Sequence, residues 1–363
     1  MSIYLDSTAC GTGACSPSTH DMLSGITENL SALVARRFTT AKQSGALVFS
    51  QTEVTTISAS NIPFQLRYCP ALAKKPNNNP PPDLEQKSST IKRDPFHDPP
   101  EDLLIAQFPQ SAPSHILVLN KFPVIPDHFI LATKAYKPQT DLLEKVDLQA
   151  TFQCLKAWQK HERPAGSKRL FAFFNSGEHS GASQPHRHLQ FLPVEKMAQP
   201  HDGRWKPLID GNFDHPSSFK LPFACYAVNL PEEPSADDLH HSYLRLYAMA
   251  VKAAQSSQDS QLRTVDLKNV QIDGPATISY NLAMTTSRMM ICPRKSEFAW
   301  LPIDPNRRNE TQETGLVRLN GTILAGTLMV KAAAEWDVLR NQPDILERVL
   351  EAIGFLPDPG VHM

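Results

Sequence analysis

Long apolar runs are missing from this 363-residue chain. None approaches the roughly 18 residues of a membrane-spanning helix, and the first 20 residues lack the basic segment and apolar core of a secretory leader. A charge excess is missing too. The 36 Lys and Arg against 37 Asp and Glu give a general nucleic-acid or membrane-surface binder no support. Cysteine is sparse, standing only at 10, 15, 69, 154, 225 and 292 with no C-x-x-C spacing. That pattern reads as reduced thiols rather than a disulfide framework. These absences lead us to expect a cytoplasmic protein, with the nucleus as the alternative. No internal repeat is visible. The length suffices to bury a large core, in one big domain or two packed ones.

What is present concentrates in one stretch, FAFFNSGEHSGASQPHRHLQFLP, residues 171–193. Leu170–Phe174 is an apolar and aromatic run of strand length. Asn175–Ser183 follows as a loop rich in Gly and Ser, with Ser176, Gly177, Ser180 and Gly181 within it. A second strand then places His186, His188 and Gln190 on one face and Leu189 and Phe191 toward the core, because strand side chains alternate. A neutral imidazole, with an ordinary pKa near ~6.5, can attack phosphorus through one nitrogen while the other donates to a fixed acceptor. The loop offers hydroxyls and backbone N–H groups to phosphate oxygens. Gln190 can donate to a phosphoryl oxygen but cannot act as a base at neutral pH. Two plainer readings stand beside this one. The H-x-H pair can be half of a zinc site, needing a third ligand that Gln supplies poorly and that Glu178 or His179 would have to provide from the loop. It can also be a structural pair satisfied by hydrogen bonds.

The stretch GEHSGASQPHRHLQFLP resembles the signature of the histidine triad superfamily of nucleotide hydrolases and transferases. Gln190 occupies the third motif position, where the hydrolases have His. Gln there resembles the transferase branch, which includes diadenosine tetraphosphate phosphorylases and galactose-1-phosphate uridylyltransferases. NSG followed by SGxSQxHxHLQ is similar to the fungal-type phosphorylases, also called ATP adenylyltransferases. ENLSALVARRFTTAKQSGALVF and RYCPALAKKP resemble the opening of that family, and ISYNLAMTTSRMMICPRK and LNGTILAGTLMVK its C-terminal part. The resemblance covers roughly residues 25–355.

It implies a histidine-triad-like antiparallel sheet with flanking helices, an α+β fold extended by a C-terminal α+β portion. It further implies reversible phosphorolysis of diadenosine tetraphosphate to ADP and ATP, with His188 as the nucleophile that carries AMP. His186 would orient the site, and Gln190, Asn175, Ser183 and Gln184 would hold phosphoryl oxygens. Asn120 would approach ribose or base, with Lys121 beside it, and Asn281 and Thr285 would face nucleotide. A divalent cation, Mg²⁺, would come with the nucleotide, and no tightly bound protein metal is expected. The expected partners are the small nucleotides and phosphate, acting on a monomer or homodimer. A uridylyltransferase and a non-catalytic nucleotide-binding protein are the alternatives.

Along the chain, residues 1–21 read as a poorly ordered N-terminus, 22–200 as the catalytic portion and 201–363 as the C-terminal portion. Leu30, Leu33, Val34, Phe38 and Ala41 define one helix face, closed by Gly45. ALVFSQTEVTTIS and IPFQLRYC read as strands. Lys74, with Lys75, is either a phosphate ligand acting as a point charge or a solvated basic pair. Residues 76–100, rich in Pro and Asn, read as a flexible surface loop. HILVLN and HFILAT are expected to pair. Asp147 is expected to cap a helix, Ser235 and Asp238 to form a capping box, and LPFACYAVNL to be a strand. ISYNLAMTTSRMMICPRK reads as a hairpin in which Arg288 and Arg294 are candidate phosphate ligands, and Lys331 is a further one. Pro343 and Gly354 bracket a last helix.

Overall fold

The computed structural model describes residues 29–74, 93–159, 168–198, 205–211, 221–256, 272–303 and 314–357. The expected disorder of 1–21 lies outside the described residues, as does most of the 76–100 loop. The elements run α1 (Leu30–Gln43), β1 (Glu53–Ala59), β2 (Ile62–Tyr68), β3 (Leu104–Phe108), β4 (His115–Leu119), β5 (Phe129–Thr133) and α2 (Lys145–Gln159). Then come β6 (Leu170–Ser176), β7 (His188–Pro193), α3 (Val194–Met197), β8 (Tyr226–Asn229), α4 (Ala236–Ser256), β9 (Ser279–Met284) and β10 (Arg288–Arg294). β11 (Phe298–Trp300), β12 (Leu316–Arg318), β13 (Thr327–Val330), α5 (Ala333–Asn341) and α6 (Asp344–Ile353) complete the described fold.

One eight-stranded sheet, ordered β3-β4-β5-β7-β6-β9-β10-β8, organises the molecule. Each neighbouring pair in it is antiparallel. The C-terminal portion contributes β8–β10 to this sheet, with β9 hydrogen-bonded directly to β6. Both faces are covered, so its central strands read as continuous apolar runs. In β6, Leu170, Ala172 and Phe174 join the core that holds the buried faces of α1, α2 and α4. Phe171 and Phe173 join a second core with β1, β2, β13, α5 and α6. β13 pairs in parallel with β2, tying the two ends of the chain together.

Local sequence explains the helix boundaries. Asn29 accepts the N–H groups of Ser31 and Ala32 and starts α1. At α4, Ser235 and Asp238 exchange side-chain and backbone hydrogen bonds in the expected capping box. Leu239, Tyr243, Leu246, Tyr247 and Ala250 of α4 are buried, the spacing of one helical face.

Several expectations are corrected. Residues 46–52 form no strand, and β8 is shorter than LPFACYAVNL. The strand β3 was not anticipated. Asp147 does not cap α2 from outside but lies in its first turn, fully buried between His115 and Arg187. Burial pushes its pKa up, but the hydrogen bond and charge of His115 and the charge of Arg187 outweigh this and hold it below the usual carboxylate range.

Candidate active site

The polar strand face works out differently from a half-exposed surface. β7 begins at His188, and His186 precedes it, bridged to Pro138. Leu189 and Phe191 enter the helix-side core, as the alternation requires. His188 and Gln190 share the other face with Leu192, which lies in the second core. His186 and His188 are 1% and 2% exposed.

His188 is held from several directions. Its Nδ1–H donates to the backbone carbonyl of His186 at 2.8 Å. The other nitrogen, Nε2, therefore carries the lone pair, and His188 lines a cavity of about 780 Å³. Burial pushes the His188 pKa down to about 4, so the ring is neutral and nucleophilic near pH 7. Its backbone is pinned by Gln139, a buried residue the sequence reading missed. The Gln139 Oε1 accepts the His188 N–H at 2.7 Å, and its Nε2 donates to the carbonyls of Asn175 (2.8 Å) and His188 (3.2 Å). The β6–β7 ladder runs only to Phe173↔Gln190, and beyond it this amide bridges the two strands.

Gln190 is oriented by a chain of hydrogen bonds whose direction is set at one end. The Phe122 N–H donates to Asn120 Oδ1 at 2.9 Å, so the Asn120 amide nitrogen faces Nδ1 of His128 at 3.0 Å. The proton of His128 then sits on Nε2 and donates to Gln190 Oε1 at 3.0 Å. The Gln190 NH₂ is left for the cavity. His128 was also missed by sequence reasoning. The signal was available, since Ile130 pairs opposite Gln190 and His128 lies two residues away on the same face.

A second cavity, of about 290 Å³, lies beside the first. Asn120, Phe122, Ser183 and Gln190 line both. Lys121, Gln184 and His188 line the larger one, while Gly181, Arg318 and Lys331 line the smaller.

The remaining predicted site residues divide between lining and support. Asn175 is buried at the end of β6. Its Oδ1 accepts from Asn281 (2.9 Å) and the Gly321 N–H (2.8 Å), and its Nδ2 finds no acceptor among the described residues. Ser180 donates its hydroxyl to the Gly177 carbonyl at 2.7 Å and shapes the loop. Gly177 and Gly181 have φ of 87° and 77°, and an added Cβ would come within 2.3 Å of Ser279 and 2.8 Å of the Leu319 carbonyl. These glycines let the loop lie directly against the C-terminal portion. Ser176 is fully buried and lines neither cavity. Lys74 ends a 3-10 turn whose Leu72 lines the smaller cavity, and its own side chain lies outside the described residues.

Asn281, Thr285, Arg288 and Arg294 are corrected. Asn281 is fully buried and donates to Asn175 and to the Ser180 carbonyl (2.8 Å), so it supports the loop from behind. Thr285 accepts from the Ser287 and Arg288 N–H groups in the β9–β10 turn and lines neither cavity. Arg294 is buried and donates to the carbonyls of Ile353, Ser296 and Leu319 and to Asn281 Oδ1. Burial lowers its pKa only to about 10, which leaves it charged. Arg288 is taken up by Asn229 and the carbonyls of Ile209 and Gly211. Both arginines staple the fold. Among the described residues, no three His, Cys, Asp or Glu side chains gather as a metal site requires.

Residues 22–209 match the family of the Ap4A phosphorylase N-terminal domain, and residues 219–356 that of the ATP adenylyltransferase C-terminal domain. The chain is 26% identical over 340 residues to diadenosine 5',5'''-P1,P4-tetraphosphate phosphorylase 2 of Saccharomyces cerevisiae, covering 91% of this chain and 96% of that protein. It is 27% identical over 339 residues to protein APA1 of the same yeast, covering 91% and 95%. The fold superposes on yeast Ap4A phosphorylase Apa2 crystallised with AMP, with a TM-score of 0.67 at 24% identity over 92% of this chain and 99% of that one.

Proposed function

The chain belongs to the Ap4A phosphorylase family, and from that membership we propose that it catalyses the reversible phosphorolysis of diadenosine tetraphosphate to ADP and ATP through an AMP–histidine. The observation that carries this reading is a neutral His188 in the larger cavity beside an oriented Gln190 that lines both cavities. A dinucleotide needs room on both sides of the bond that breaks. In the first step Nε2 of His188 bonds to the α-phosphorus, and the bridging oxygen leaves with its electron pair as ATP. In the second, a phosphate oxygen bonds to that phosphorus, the P–N bond breaks, and its electron pair returns to Nε2 as ADP forms.

Charge spreads over the phosphoryl oxygens in both transition states, so donors already in place count for more than a base. The Gln190 NH₂ supplies one, with Ser183 and Gln184 along the loop, while Asn175, buried and lining neither cavity, supports the loop from behind. Lys121 in one cavity and Arg318 and Lys331 in the other favour the polyphosphate electrostatically. A divalent cation, Mg²⁺, would arrive on the polyphosphate. Four carboxylates line the cavities, Asp94, Asp98 and Glu101 the larger and Glu335 the smaller, and those of Asp94, Asp98 and Glu335 are engaged by protein donors.

Incubating the protein with diadenosine tetraphosphate, with and without phosphate, tests the reading. Equal amounts of ATP and ADP that depend on phosphate are expected. Turnover of a UDP-sugar with no turnover of the adenine dinucleotide would point to the uridylyltransferase alternative, which family membership does not favour.

A further inference from the structure

The proline-rich stretch expected to be a flexible surface loop ends in a segment, residues 93–100, that is built into the site. Asp94 Oδ2 lies 2.7 Å from Nδ1 of His186. Asp94 Oδ1 accepts the Phe96 N–H at 2.9 Å, which sets the turn between them. Phe96 is 4% exposed and packs with Ile116, Val118 and Ala132 of β4 and β5. Its ring centroid lies 5.1 Å from that of His188 and 5.6 Å from that of His186. Asp94, Phe96 and His188 line the same cavity.

We propose, resting on the phosphorylase reading, that Asp94 and Phe96 are positioning residues of the transfer: Asp94 fixes His186 as the support of the nucleophile, and Phe96 keeps water from the AMP–histidine so that phosphate takes the AMP. The first half follows from the bonds around His186. Its Nδ1–H donates to Asp94, and its Nε2 accepts the Thr133 hydroxyl at 3.0 Å. Held at both nitrogens, the residue keeps its carbonyl 2.8 Å from Nδ1 of His188. That carbonyl decides which His188 nitrogen carries the proton and where the lone pair points. Asp94 therefore acts two residues away from the reacting atom, across a residue that does not itself touch phosphorus.

The second half follows from competition. Water and phosphate can both attack the phosphorus of the AMP–histidine. A phosphate oxygen gives ADP. A water oxygen gives AMP, its proton passing to solvent and the electron pair of the P–N bond returning to Nε2. Water greatly outnumbers phosphate, so a transferase must shield the intermediate by apolar surface. The Phe96 ring packs beside His188 in the larger cavity, and its anchoring in the sheet keeps it there.

The test uses the full-length protein with diadenosine tetraphosphate at fixed phosphate, measuring ATP, ADP and AMP. Phe96→Ala should raise the AMP:ADP ratio about tenfold or more, while Phe96→Leu should stay near wild type, as expected if bulk rather than aromaticity excludes water. Asp94→Ala should slow single-turnover formation of the AMP–enzyme about tenfold with little change in KM, and Asp94→Glu should recover part of the loss. Should Phe96→Ala fail to fold, Phe96→Val, apolar but too short to cover His188, carries the test. Wild-type product ratios and wild-type AMP–enzyme formation in the folded variants would overturn the inference. Absence of phosphate-dependent ADP from the wild-type protein would instead refute the phosphorylase reading.

Discussion

His128 donates from Nε2 to Oε1 of Gln190 at 3.0 Å. Because Asn120 already fixes the tautomer of His128, the bond decides which end of the Gln190 amide faces the cavity. His128→Ala should therefore slow transfer through Gln190. We expect roughly a tenfold loss, about 1.4 kcal/mol, smaller than that of Gln190→Ala. The double variant should be hardly slower than Gln190→Ala alone, since both changes remove one donor. Fully additive losses in kcat would contradict the coupling.

Gln190→His places a third imidazole where the hydrolases of the superfamily have one. Losing the amide donor should cost roughly 2.7–4 kcal/mol, a hundred- to thousandfold in phosphate-dependent turnover, with part recovered by the ring N–H. AMP should rise relative to ADP. Product analysis across several phosphate concentrations checks this, and unchanged ADP formation without AMP would remove Gln190 from the site.

The His188 ring should remain neutral at pH 5.5, because burial holds its pKa to about 4. An unfolded histidine titrates near ~6.5. Between those values the unfolded chain binds the proton and the folded one does not, so stability is present above ~6.5 and is lost as pH falls toward 4. The contribution is about 3 kcal/mol at full shift. NMR titration of the ring checks the first statement. Urea unfolding at pH 7 and pH 5 checks the second, with a flatter dependence expected in His188→Gln.

Gln139→Leu should cost both stability and rate. It leaves the buried His188 N–H without its acceptor and strips a donor from two carbonyls. An unsatisfied buried group costs about 1–3 kcal/mol. The urea midpoint should fall and kcat should fall with it. An unchanged midpoint would mean that the strands close without the amide.

The β6–β7 hairpin was legible because its signals are local. Strand alternation around Leu189 and Phe191, a Gly/Ser loop and an H-x-H-x-Q spacing lie within some twenty residues. The helix start at Ser235 was legible for the same reason. What sequence did not reveal depends on distant contacts. Asp94 and His186 are 92 residues apart, and Gln139 lies 49 from His188. Composition made residues 93–100 look like solvated loop, yet one aromatic ring and one carboxylate anchor them in the site. Asn281 was expected to face nucleotide from the family resemblance, and Arg294 to be either a phosphate ligand or a charge on an exposed hairpin, but β9 and β10 are interior strands whose polar side chains must find partners inside the fold.

The most direct test of the account is to trap the intermediate. The protein is mixed with diadenosine tetraphosphate labelled at the α-phosphates, quenched in base to preserve a phosphoramidate, and separated from free nucleotide. The account predicts label on the wild-type protein, ADP when phosphate is added before the quench, and no label on His188→Ala. Label on His188→Ala at the wild-type level would contradict it.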